Sequence, residues 1–152
     1  MNQENAHQPG EPQHLRIVVL DDGDLVRELL KTLLQSMYQG IEIAEFADGD
    51  AAWAELSRQT PDLLITDYEH PGMKCEELLT RLAGMKNRCP VVLDSGHSET
   101  RVLDEFAPTI PRLSLNVEFV AKPYSFKQMQ AVLARHLGPP TPAIPYHILP
   151  LR

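Results

Sequence analysis

The chain is poor in three things. It has only two cysteines among its 152 residues, Cys75 and Cys89, and no CxxC motif. Two distant thiols read as reduced cysteines, not as a disulfide framework or a metal pair. It also has no long apolar run. The first one, residues 17–20, is too short for a signal-peptide core or a membrane span, so a cytoplasmic protein without membrane attachment is expected. Finally, it has no excess of positive charge. Lys and Arg number 14 against 21 Asp and Glu, a net charge of −7, which argues against holding nucleic acid through its phosphates. No internal repeat is visible, and neither tail has room for a second domain. Apolar residues at 43% and charged residues at 23% fit one globular domain with an ordinary core.

Residues 1–14 are polar and aperiodic and read as a disordered leader. Residues 16–20 form a first strand. Asp24 then stands where it can cap a helix. Its apolar positions Leu25, Leu29, Leu30, Leu33, Leu34 and Met37 recur at three and four to give one buried stripe, and Gly40 ends it. Ile41, Ile43 and Phe46 alternate as a second strand. Asp48-Gly49 is a turn, and residues 51–57 are a short helix with Trp53 as a packing residue. A third strand at 63–66 follows Pro61. His70-Pro71-Gly72 is a loop, and 76–85 is a third helix with Leu78, Leu79 and Leu82 inward. A fourth strand is expected at 91–93 and a fourth helix at 99–106. Residues 107–116, with two prolines, carry no assignment, and a fifth strand lies at 118–121. Ser125 caps a last helix with Met129, Val132, Leu133 and Leu137 inward. Residues 138–152 hold five prolines and read as an extended tail. Strand and helix alternate five times. That pattern predicts a doubly wound α/β domain over 15–137, a (βα)5 arrangement with a five-stranded parallel sheet and helices on both faces.

Polar residues sit at the ends of the apolar runs. Asp21 and Asp22 follow IVVL, Asp67 follows LLIT, Ser95 follows VVLD, and Lys122 follows FVA with Pro123 next. In an open parallel sheet, ligands bind at the carboxyl ends of the strands. Four strand ends thus bring three carboxylates, a hydroxyl and an ammonium to one edge. These are the groups for one divalent metal and one phosphoryl group.

An acidic pair after the first strand, Asp after the third, Ser after the fourth and Lys-Pro after the fifth resemble the receiver domain of response regulators, the phosphorylatable partners of sensor histidine kinases in two-component phosphorelays. The resemblance covers about residues 15–137. It implies a flavodoxin-like, CheY-like fold. It implies that Asp67 is the phosphoacceptor and that Asp21 and Asp22, with Asp67, hold Mg²⁺ (Mn²⁺ being the alternative). Glu69 would join that metal through its side chain or backbone carbonyl. Ser95 would follow the phosphoryl group, Lys122 would pair with it, and Phe119 would be the aromatic switch residue. Pro123 would form a cis peptide bond with Lys122. The chemistry is consistent. A carboxylate nucleophile needs no general base, and a metal with Lys122 offsets repulsion between the carboxylates and an anionic phosphoryl group.

Some positions depart from the pattern. Glu69 and His97, each two residues past a site residue, border the site. His70 stands where an apolar residue is usual, and Cys75 where glycine is common. The stretch from Ser95 to Lys122 is long. The expectation is a stand-alone phosphoacceptor, not an enzyme. It would be served by a histidine kinase or histidine phosphotransfer protein. It would signal to a downstream protein, or dimerise through the face made by the fourth helix, fifth strand and last helix. Two alternatives stand beside it: a small aspartyl-phosphate phosphatase of the haloacid dehalogenase type, suggested by Asp67-Tyr68-Glu69, and a degenerate receiver that acts as an interaction module without phosphorylation.

Overall fold

Five short apolar strands dictate the architecture. The computed structural model describes residues 14–96, 101, 104–105 and 108–141. Strands β1 (Arg16–Leu20), β2 (Glu42–Phe46), β3 (Leu63–Asp67), β4 (Val91–Ser95) and β5 (Val117–Ala121) form one parallel sheet in the order β2-β1-β3-β4-β5. Side chains alternate across each strand, so one run feeds two cores. Ile17, Val19, Ile65 and Val92 face helices α1 (Asp24–Met37) and α5 (Phe126–Leu137). Val18, Leu20, Leu64, Val91 and Leu93 face α2 (Gly49–Arg58) and α3 (Cys75–Ala83). The predicted doubly wound parallel sheet is the one observed.

Several local expectations need correction. Gly23, not Asp24, is the N-cap of α1, and no side chain caps it. Asp24 is instead paired to Arg27 one turn on, while the Asp21 carboxylate takes the Gly23 N–H at 2.8 Å. Leu25 and Leu29, expected inward, are 71% and 45% exposed, because α1 begins at the site edge, beyond the surface that the core covers. The helix ends at Met37, and Gly40, at φ +71°, lies in the turn beyond it. Asp48 caps α2 by accepting from the Ala51 N–H at 2.9 Å. Strand β4 extends two residues past its expected end and includes Asp94 and Ser95.

Of the expected fourth helix, residues 101, 104 and 105 are helical and the others lie outside the described residues. The unassigned stretch after it holds a single helical turn, α4 (Ile110–Leu113), closed by Ser114 in the left-handed region. Ser125 caps α5 in a reciprocal box with Gln128, as its position predicts. Leader residues 1–13 and tail residues 142–152 also lie outside the described residues. The first residues of the proline-rich segment are bonded to the domain. Thr141 N–H donates to the Met37 carbonyl at 2.7 Å, Gln39 N–H donates to the Thr141 carbonyl at 2.9 Å, and the Tyr38 hydroxyl reaches the Gly138 carbonyl at 2.9 Å. Both cysteines are free and buried. Trp53 is partly buried, with the Arg81 guanidinium 5.6 Å above its ring.

The loop after β3 is clamped to the start of α2. Gly49 N–H donates to the Pro71 carbonyl at 2.8 Å, and a Cβ at Gly49 would lie 2.0 Å from the Met73 carbonyl oxygen. Backbone cannot yield as a flexible side chain does. Gly49→Ala is therefore expected to cost about 1–3 kcal/mol, read as a lower urea midpoint at unchanged slope.

Candidate functional site

The carboxyl ends of β1, β3, β4 and β5 gather the polar residues noted in the sequence. Asp22, Asp67, Glu69, Ser95, Gly96 and Lys122 line one open pocket of about 450 Å³. Asp21 lies beneath it, almost fully buried. One carboxylate oxygen from each of Asp21, Asp22 and Asp67 falls within 4.8 Å of the others. Lys122 reaches from β5 across the ends of β4 and β3. Its Nζ is 2.9 Å from Asp21 Oδ2 and 3.6 Å from Asp67 Oδ2. The Lys122–Pro123 peptide is cis, and the Lys122 N–H bonds the Ser95 carbonyl at 2.8 Å. The Ser95 side chain is buried at the pocket wall.

The electrostatics follow from crowding. Burial pushes the Asp67 carboxyl above its ordinary value, and nearby Asp21 adds to this. Lys122 and the backbone N–H groups of Tyr68 and Glu69 oppose it. Burial pulls the Lys122 ammonium down, but Asp94, Asp21 and Asp67 outweigh it, and the net shift is upward. An all-oxygen donor set of three convergent carboxylates suits a hard divalent cation such as Mg²⁺. A cation there would offset the burial and the Asp21 charge that raise Asp67. A tetrahedral oxyanion could contact both Lys122 and Ser95.

Phe119 is half-buried on β5, opposite Leu93, and packs against the core on the α2–α3 side. His97 lies outside the described residues. His70 fills space against Gly49 and has a buried Nε2 without a hydrogen-bond partner. Cys75 is the first residue of α3 and buried, with its thiol pushed up by burial.

Three features were not foreseen from the sequence. Asp94 is fully buried on β4, in register with Asp67 on β3, and its Oδ2 accepts from the Tyr124 hydroxyl at 3.3 Å. A charge inside the run VVLDS was its signal. The Tyr68 hydroxyl is held by Glu105 and, at 3.3 Å, by Glu76, which ties the residue after Asp67 to the segment after β4. Lastly, Leu29, Pro123, Tyr124 and Phe126 line an apolar groove of about 620 Å³ between α1 and α5. Lys122 borders both this groove and the acid pocket.

The model of the response regulator receiver domain matches residues 17–134, which take in the site and all of the sheet except Arg16. The chain belongs to the response regulator receiver domain family. It is 26% identical over 120 residues to the DNA-binding transcriptional regulator NtrC of Salmonella typhimurium, covering 79% of this chain and 24% of that protein. It is 25% identical over 122 residues to the sensory transduction protein LytT of Bacillus subtilis, covering 80% of this chain and 48% of that one. This receiver chain thus spans about a quarter to a half of the length of these relatives. The fold also matches the receiver domain of the Pseudomonas aeruginosa sensor histidine kinase PA1611, solved with magnesium coordinated in its active site cleft. The TM-score is 0.67 at 20% identity, over 83% of this chain and 99% of that one. Among the described residues, no helix is long and apolar enough to cross a membrane.

Proposed function

We propose that this receiver accepts a phosphoryl group on Asp67 from a phosphohistidine of a sensor kinase or phosphotransfer protein. The observation that carries the reading is the convergence of Asp21, Asp22 and Asp67 opposite the Lys122 ammonium. The Asp67 carboxylate oxygen forms the new bond to phosphorus. The P–N bond breaks, and its electron pair leaves with the imidazole. Two backbone N–H groups orient Asp67, Lys122 pairs with a phosphoryl oxygen, and the Ser95 hydroxyl donates to another. A bound Mg²⁺, held by Asp21, Asp22 and Asp67 with Glu69 at its edge, supplies neutralising charge. The groove beside Lys122 offers apolar surface that a donor protein would cover while presenting its phosphohistidine.

Movement of Ser95 toward the phosphoryl group would draw the half-buried Phe119 further in. That motion couples the site to the β5 side of the sheet, where a downstream protein or a second copy would read it. A structure with beryllofluoride bound that leaves Phe119 in place would contradict this switch. The haloacid dehalogenase alternative gains nothing from the fold, since that class carries its nucleophile on the first strand and Asp67 ends β3. The degenerate-module alternative has to account for Asp22, Asp67, Ser95 and Lys122 all lining one pocket.

Incubation with acetyl phosphate and Mg²⁺, followed by intact mass, tests the reading. One added phosphoryl group is expected, absent from Asp67→Ala and absent when Mg²⁺ is chelated. An equal adduct in the variant would sink it.

A further inference from the structure

Among the described residues, three charged side chains are buried: Arg16, Asp21 and Asp94. Arg16 pairs with Glu42 and Glu55 at the far end of the sheet, and Asp21 belongs to the acid cluster. Asp94 has no comparable account. It is wholly inaccessible, its Oδ1 has no hydrogen-bond partner, and its Oδ2 takes only the 3.3 Å contact from Tyr124. A carboxyl so placed is costly unless its charge is answered nearby.

The topology supplies the answer. Lys122 leaves β5, and its ammonium ends on Asp21 at the tip of β1. Strands β4 and β3 lie between, and Asp94 is in register with Val120, two residues before Lys122, so the two side chains leave adjacent strands on the same side of the sheet. Burial raises Asp94 to about 7 while the Lys122 charge pulls it back, and Asp94 in turn raises Lys122. Above about pH 7, where Asp94 gives up its proton, the resulting anion attracts the ammonium and cancels part of its field at Asp67. A phosphoryl donor arrives as an anion and depends on that field.

We propose that Asp94 is a positioning residue for Lys122, a buried counter-charge that restrains the ammonium and slows phosphoryl uptake at Asp67. The part concerning uptake rests on the phosphoacceptor reading above. Tyr124, which also lines the apolar groove, braces the carboxyl from the other side.

Asp94→Asn tests this, because asparagine keeps the shape and an acceptor for Tyr124 but loses the charge. At about pH 8, where Asp94 is charged, uptake from acetyl phosphate below saturation should rise about three- to tenfold, the size expected for removing one charge at partly screened range. The melting temperature should not fall, and the Lys122 side-chain ammonium signal in ¹⁵N NMR should shift. Tyr124→Phe, which removes the hydroxyl and keeps the charge, should not accelerate uptake. An unshifted Lys122 signal in Asp94→Asn overturns the assignment, whatever the rate. A shifted signal with unchanged or slower uptake overturns the role in phosphorylation. Were the unaltered chain to take up no phosphoryl group on Asp67, the phosphoacceptor reading would fail by itself, and the Lys122 signal would still decide whether Asp94 positions it.

Discussion

Lys122→Ala is expected to cost more stability than any other single substitution at the site, and the size of that cost should depend on the divalent cation. The Lys122 ammonium lies within ion-pair range of both Asp21 and Asp67. Removing it leaves Asp21, Asp67 and Asp94 close together and largely out of water. Loss of one partner from a buried charge pair typically costs about 3–5 kcal/mol, so the metal-free variant should unfold at markedly lower urea. Mg²⁺ should restore much of this loss, because a ligand that binds only the folded state stabilises it by mass action. It should also bind the variant more tightly, since Lys122 and the cation draw on the same carboxylates. Phosphoryl uptake should still fall about 10²–10³-fold, the usual cost of one lost charge-stabilising donor. Urea melts with and without Mg²⁺, calorimetry and adduct kinetics read the three effects separately. Equal stability losses with and without Mg²⁺ would contradict the electrostatic account.

The second large effect concerns pH. Asp94 is raised from an ordinary carboxyl value of 3.8 to about 7, chiefly by burial. The folded chain therefore holds a proton that the unfolded chain has released. The stability linked to this group is complete below about pH 4 and is lost as pH rises to about 7. Asp67, also raised, adds a loss of the same sign. The metal-free chain should thus become less stable over this window, by at most about 4 kcal/mol from Asp94. Asp94→Asn should flatten most of that slope. A stability that instead rises across the window would mean that Asp94 is ionised and paired in the fold.

The sheet and its site were legible because both depend on local pattern. Runs such as IVVL and LLIT, short and rich in β-branched residues, read as buried strands, and the polar residue that ends each run then projects at the same edge of a parallel sheet. The capping residue Ser125 was equally plain, since its hydroxyl and Gln128 answer each other within one turn. What escaped depends on partners distant in sequence. The spacing of Leu25 and Leu29 marks an apolar stripe but not where its cover ends: both are exposed, and Leu29 emerges at the groove beside Lys122. Asp94 escapes a sequence reading because the apolar run before it stops at Leu93, whereas pairing with Asp67 and Val120 carries β4 onward. The turn at Ile110–Leu113 starts on a proline-containing stretch that favours no regular element until the surrounding core fixes it. Thr141 lies in a segment whose prolines argue for extension. Thr141 itself is bonded to the end of α1 across a hundred residues of chain.

The most direct test of the central claim is to locate the acyl phosphate. After exposure to acetyl phosphate and Mg²⁺, borohydride reduction converts a phosphorylated aspartate to homoserine, which peptide mass mapping assigns to one position. Homoserine at position 67, and at no other aspartate, is the predicted result. Homoserine at position 21, 22 or 94 with Asp67 unchanged would contradict the account.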